Sequence, residues 1–206
     1  MNKSNSQSIS KILTIILSVA FIISIIALIN TIIYMVNFSL YTSIATFDRV
    51  IMLAVSMFYV IIAILYAIWI YKIHKDLKFF SSYFPVSPGE AVGFYFIPVL
   101  NIYWQFHVPA KIASFLKKQS LTSGYGTVFA TLWPIALLLG LVHNGLNLYT
   151  NSDFYIDISA VFITDLLLVL FVFILLRTNA MVIKSVEVLH AQHTENVPEE
   201  NTTSYH

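Results

Sequence analysis

Four long apolar runs restrict what this chain can fold into. They cover residues 12–36, 50–71, 127–149 and 155–176. Each reaches the roughly 20 residues needed to cross the hydrocarbon core of a bilayer. No water is available there to satisfy backbone N–H and C=O groups, so each run must close its own hydrogen bonds as a helix. Composition agrees. Of 206 residues, 58% are hydrophobic and 10% are charged, against about 25% charged in a soluble domain. A globule of this size cannot hide that many apolar side chains, so most of the solvent must be lipid. The expected fold class is an all-α membrane protein with four transmembrane helices.

Basic residues set the threading. All eleven Lys and Arg except Arg49 lie before residue 12, between the second and third runs, or after residue 176. The positive-inside rule then places both termini and the central connection in the cytoplasm. This gives a cytoplasmic N-terminus over 1–11, a membrane domain over 12–176 and a cytoplasmic tail over 177–206. The first run far exceeds the apolar core of a cleaved signal, about 7–15 residues, so it is read as a retained span. Tyr34, Phe38, Tyr41, Trp69, Tyr71, Tyr149, Phe154 and Tyr155 sit at span ends, where aromatic rings favour the headgroup region. The tail from Glu187, with Pro198, Glu199, Glu200 and Asn201, is polar enough to read as disordered.

Residues 91–108 are also apolar, yet lie between two lysine clusters: Lys72, Lys75 and Lys78 before, Lys111, Lys117 and Lys118 after. Crossing would put one cluster on the wrong side. Pro98 and Pro109 remove helix donors, and Asn101, Gln105 and His107 would need partners in lipid. The segment 88–118 is therefore expected to be a broken helix, re-entrant or interfacial. Its start has a capping-box pattern: Ser87 at the cap, Pro88 at the first position and Glu90 three residues after the cap. Gly89 and Gly93 leave a small face at i and i+4 where another helix can approach.

These residues resemble a bacterial membrane family catalogued as domain of unknown function 4328. The resemblance rests on Trp69-Ile70-Tyr71-Lys72, Lys75-Asp76-Leu77, Ser87-Pro88-Gly89-Glu90-Ala91-Val92-Gly93 and Phe96-Ile97-Pro98-Val99-Leu100-Asn101. Trp69, Ser87, Pro88, Gly89, Gly93, Pro98 and Asn101 are its signature positions. Members often carry a basic residue and a proline just after the aromatic that follows the Asn; here those places hold Trp104 and Gln105. The resemblance implies a multi-pass protein of the bacterial cytoplasmic membrane and carries no activity with it.

One set of polar residues invites a functional reading. Asp165 lies ten residues into the fourth span, about 15 Å at 1.5 Å per residue, near mid-membrane. A carboxylate there costs about 2.5–3.5 kcal/mol on insertion scales. Asn30, His143, Asn144 and Asn147 occupy the outer parts of the first and third spans and are grouped with Asp165 as a candidate cluster. Interhelical glue is the plainer role for them, and ion or solute binding the sharper one. His190 and His193 lack further zinc ligands and read as solvated tail, His107 as interfacial or packed, and His74 as part of the basic cluster. The chain has no cysteine, so thiolate chemistry and Cys-type metal sites are excluded. Nucleotide-loop, nucleophile-elbow and metalloprotease motifs do not occur.

No catalytic residue, cofactor or metal site is therefore expected. The bilayer is the expected partner, with a membrane protein or a second copy beside it; a net charge of +1 gives no footing for nucleic acid. The leading expectation is a structural or accessory membrane component. The small-residue row Ala20, Ser24, Ala27 and Thr31 in the first span motivates it. A transporter built around Asp165 is the alternative, and a lipid-modifying enzyme using Glu90 or His107 ranks third.

Overall fold

A computed structural model describes residues 4–152 and 157–195. Among them are six α-helices and a 3-10 turn, and no strand. α1 spans Gln7–Val36, α2 Phe38–Phe80, α3 Pro88–Gly93, α4 Pro98–Lys118, α5 Ser123–Ser152 and α6 Ile158–Glu195; the 3-10 turn Phe94–Phe96 follows α3. α1, α2, α5 and α6 are long and apolar enough to cross a membrane. The protein is all-α, with four membrane-crossing helices.

A single residue separates α1 from α2. The Asn37 N–H donates to the Ile33 carbonyl at 2.8 Å. Its side-chain Oδ1 accepts the Leu40 N–H at 2.9 Å. Asn37 thus closes one helix and N-caps the next. The sequence places 37–49 in a connection between spans, yet helix starts at Phe38 because the cap is in place and no Gly or Pro follows until Pro85. At 1.5 Å per residue, the 43 residues of α2 extend about 65 Å, roughly twice the hydrocarbon thickness. The apolar part, 50–71, is by itself long enough to span. Beyond it α2 carries Lys72, Lys75 and Lys78.

The chain divides into two compact units. One comprises Ile9–Trp69 and Thr131–Ala180. Its interior is lined by Leu13, Leu17, Trp133, Ala136, Leu168 and Val172. Ala20, Ser24, Ala27 and Thr31 are buried there too, so this row packs within the chain instead of offering itself to a partner. Gly140 lets the Phe171 ring approach: a Cβ on the glycine would lie 3.2 Å from it. On α2, Leu53, Met57, Val60 and Ile64 stay exposed, an outward apolar face that suits lipid.

The other unit comprises the N-terminal residues through Ser8, Ile70–Ala130 and the residues from Met181. Ile73, Leu77, Val108, Ile112, Leu116 and Val182 are fully buried in it. Ser87 N-caps α3 with the expected box: Glu90 N–H to Ser87 Oγ at 3.2 Å, Ser87 N–H to Glu90 Oε2 at 2.9 Å. The chain turns extended at Ile97 (φ −98°, ψ 113°), and Pro98 opens α4.

Two expectations need correction. Pro109 does not interrupt α4, which continues to Lys118. Val108, Ile112, Ala113 and Leu116 are buried around it, and that packing outweighs the roughly 3 kcal/mol an internal proline costs. Nor does order end at Glu187: α6 runs to Glu195. Val186 and Leu189 are buried, and the His190 ring stacks on Phe79 at 5.7 Å. Asp153, Phe154, Tyr155, Ile156 and the residues from Asn196, Pro198, Glu199, Glu200 and Asn201 among them, lie outside the described residues.

α4 and α5 meet closely at Gly126. A Cβ there would lie 2.6 Å from the Lys117 backbone nitrogen and 2.9 Å from Leu116. A Gly126→Ala variant should lose about 1–3 kcal/mol through overpacking. Gly124→Ala, with nothing within 4 Å, should match the parent in a thermal unfolding scan in detergent.

Candidate functional site

The polar residues of the spanning helices sort into local pairs rather than one cluster. Asp165 of α6 is buried, and its Oδ2 accepts a hydrogen bond from Thr31 Oγ1 of α1 at 2.6 Å. Asn30, one residue earlier, donates from Nδ2 to Asp48 Oδ1 at 3.0 Å. Asp48 also accepts from the Tyr41 hydroxyl at 2.9 Å. His143 of α5 is buried; Nδ1 donates to the Thr164 carbonyl at 3.0 Å. That fixes the tautomer, so Nε2 accepts from the Tyr59 hydroxyl at 2.7 Å. Asp48 and His143 both lie within electrostatic range of Asp165. Asn144 and Asn147 stand on the exposed side of α5. Tyr59, Tyr41 and Asp48 complete the network. The sequence flagged none of the three as a partner, since a phenol on an apolar helix looks like core.

Beside these pairs is a cavity of about 40 Å³ lined by Ala20, Ser24, Tyr59, Leu168, Phe171 and Val172 among others. A second void lies near Trp69 and Asn179. Trp69 is buried, and its indole N–H donates to Ser10 Oγ at 3.0 Å. Asn179 donates to Thr14 Oγ1 at 2.8 Å. Each of these bonds ties one spanning helix to another.

The remaining signature positions build the segment before α5. Ser87 and Pro88 start α3 as described. Gly89 and Gly93 have nothing within 4 Å of where a Cβ would be, so among the described residues no helix packs on the small face they form. Asn101 Oδ1 accepts from Gln105 Nε2 at 2.7 Å. The Trp104 indole N–H donates to the Glu90 carbonyl at 3.0 Å, and its ring stacks on His107 at 5.1 Å. The Ser87 backbone and hydroxyl hold the Glu90 carboxyl below its ordinary pKa.

The most heavily bonded carboxylate is Asp76, beyond the apolar part of α2 and wholly buried. Oδ1 accepts from the Asn5 N–H at 2.9 Å and from Asn5 Nδ2 at 3.0 Å. Oδ2 accepts from Ser4 Oγ at 2.6 Å, Ser6 Oγ at 2.6 Å and the Ser6 N–H at 3.0 Å. Asp76 thereby caps the N-terminus of α1 from another helix, where its charge also meets the positive end of the helix dipole. Burial pushes the carboxyl up, but the bonds from Ser4, Ser6 and Asn5 outweigh it and hold the carboxyl below its ordinary value. His190 Nε2 lies 3.8 Å from Asp76 Oδ1, so it is a packed residue of this unit rather than solvated tail. His193 sets its ring edge-on to Phe79 at 4.9 Å. His74 also has more than a place in a basic cluster. It is fully buried and donates from Nδ1 to the Ile70 carbonyl at 2.8 Å, and its Nε2 is without a partner. Burial pushes its pKa down to about 4, against the opposing pull of that carbonyl. The sequence signal for this hub was slight: one acid among the lysines of the Lys75-Asp76-Leu77 step.

Chemically, these arrangements match donors to acceptors between helices. Among the described residues, no group of three side chains able to ligate a metal converges. Fold and geometry together define a polytopic all-α membrane protein held by interhelical hydrogen bonds. The chain belongs to the family described as Domain of unknown function (DUF4328), whose model matches residues 34–187. No curated protein and no solved structure matches the chain. The matched region contains Asp76 but not Ser4, Asn5 and Ser6, which hold it.

Acid should loosen the hub in two stages. His74 has a folded pKa of about 4 against an ordinary 6.5, so the unfolded chain takes the proton first. Its contribution is present above pH 6.5 and lost as pH falls toward 4. Asp76 is depressed below its ordinary 3.8, so its contribution is lost below that value. The thermal midpoint in detergent should fall between pH 6.5 and 4, by up to about 3 kcal/mol of stability. A His74→Phe variant should remove that first stage and keep the second.

Proposed function

We propose that this protein is a structural or accessory component of the bacterial cytoplasmic membrane, with both termini and the α2–α5 connection on the cytoplasmic side. The lysine distribution supports the orientation. A single observation carries the functional reading. Asp165 is bonded to Thr31, and His143 is held by Tyr59 and the Thr164 carbonyl. These groups are committed to neighbouring helices, each such bond contributing about 0.6–2 kcal/mol. A solute path needs polar, wetted walls. The cavity nearby is about 40 Å³, with walls that are almost wholly apolar, and apolar cavities stay dry. Glu90, the acid on which a lipid-modifying role would rest, is engaged in the cap of α3.

The absence of cysteine permits a direct test. Single cysteines at Val161 and Leu168, which flank Asp165 by one helical turn, should resist a small water-soluble thiol reagent in intact membranes. Labelling at both would place water beside Asp165 and turn the reading to transport. Mild crosslinking in native membranes should trap a protein neighbour, a second copy included; recovery of lipid alone would count against an accessory role.

A further inference from the structure

From the geometry of the elbow between α3 and α4, we infer that it is a membrane wedge. Its apolar tip inserts into the interfacial layer of an anionic phospholipid bilayer, with the lysines of α4 at the headgroups.

Exposure changes along this element. The second half of α4 is anchored in its unit through Val108, Ile112 and Leu116, all fully buried. The first half and the turn before it carry several large hydrophobic side chains that stand exposed. Phe96 is 77% exposed, Ile102 68%, Tyr103 54% and Phe106 46%, with Ile97 and Leu100 beside them. A continuous aromatic and aliphatic patch of this kind marks a surface that is covered in use.

Three observations name lipid as the cover. First, the polar side chains of the first half of α4 are satisfied locally. Gln105 bonds Asn101 at 2.7 Å, the Tyr103 hydroxyl meets His107 Nδ1 at 2.6 Å, and Trp104 bonds the Glu90 carbonyl at 3.0 Å. Water would satisfy these groups at no cost; a low-dielectric layer demands that they satisfy one another.

Second, the break in the helix is hydrogen-bonded on both sides of Ile97. The Ile97 N–H donates to the Phe94 carbonyl at 3.3 Å, the Ile97 carbonyl accepts the Asn101 N–H at 2.8 Å, and Pro98 has no N–H to place. No side chain caps α4 at Ile97, so its next donors call for the hydrated headgroup layer rather than the hydrocarbon core.

Third, charge on α4 is of one sign. No Asp or Glu occurs from 91 to 152, whereas Lys111, Lys117 and Lys118 follow the patch; Lys117 and Lys118 are exposed. An apolar face followed by lysines fits an anionic surface, with insertion of about 5–10 Å.

Placement at the cytoplasmic leaflet rests on the topology proposed above. Insertion itself does not, and it is independent of whether the spanning bundle is wet or dry.

The test uses the full chain in vesicles of phosphatidylcholine and phosphatidylglycerol. Nitroxide labels go on single cysteines at Phe96 and Ile102, with a reference at Ser114, an exposed position in the anchored half. Labels at Phe96 and Ile102 should collide with oxygen, which concentrates in lipid, and be shielded from a water-soluble nickel chelate; the reference should show the reverse. Replacing Lys111, Lys117 and Lys118 with Gln should lower the inserted population by roughly fivefold per lysine, as should vesicles of phosphatidylcholine alone. Collisions with nickel at Phe96 and Ile102 would overturn the wedge in favour of a solvated loop. Protection from both relaxants would overturn it in favour of a protein-covered face. Equal insertion in neutral vesicles would overturn the requirement for anionic lipid.

Discussion

A backbone in hydrocarbon has only itself to bond to, and that constraint governs the rest of the molecule. It makes the four apolar runs helical regardless of the β-branched residues that fill them, which in water favour strands. It also governs side chains. A polar atom carried into a spanning helix bonds either a carbonyl of its own helix, as Ser56 does at Met52, or a neighbouring helix, and in the second case it reports which helices touch. Thr31 with Asp165, Tyr59 with His143 and Asn30 with Asp48 are the result.

Outside the hydrocarbon the constraint relaxes, and the chain uses polar groups differently. Asp76 gathers five hydrogen bonds from three consecutive residues. A buried carboxylate with that many donors holds the first turn of α1 against α2 more firmly than apolar contact alone would, because removing any donor leaves charge underbonded. His74 and His190 pack their rings around the same region: one faces Phe84 edge-on and the other stacks on Phe79.

Much of the fold was legible in the sequence because it depends on run length and on local rules. The four spans follow from hydropathy, and the Ser87–Glu90 box from spacing alone. What the sequence concealed was rotation. Residue spacing says that Asn144 and Asn147 lie near Asp165 in depth. It does not say that they point outward while His143 points in, since helix rotation is set by packing. The same blindness hid Asp48, which lies in what reads as a connection, and the burial of Ala20, Ser24, Ala27 and Thr31 inside the chain. Pro109 was misjudged for a related reason: a local breaker yields where flanking side chains are buried on both sides.

The ring stack at Trp104 gives the molecule a built-in optical reporter. Of three tryptophans, Trp69 and Trp133 both pack against Tyr66 in one unit. Trp104 belongs to the other and lies face to face with His107. An imidazole quenches indole emission far more strongly once it carries a proton. With Trp69 and Trp133 replaced by Phe, the emission of the remaining indole becomes a private readout of the α3–α4 elbow. Its wavelength follows the polarity around the ring and its intensity follows the charge state of one histidine, with no label attached.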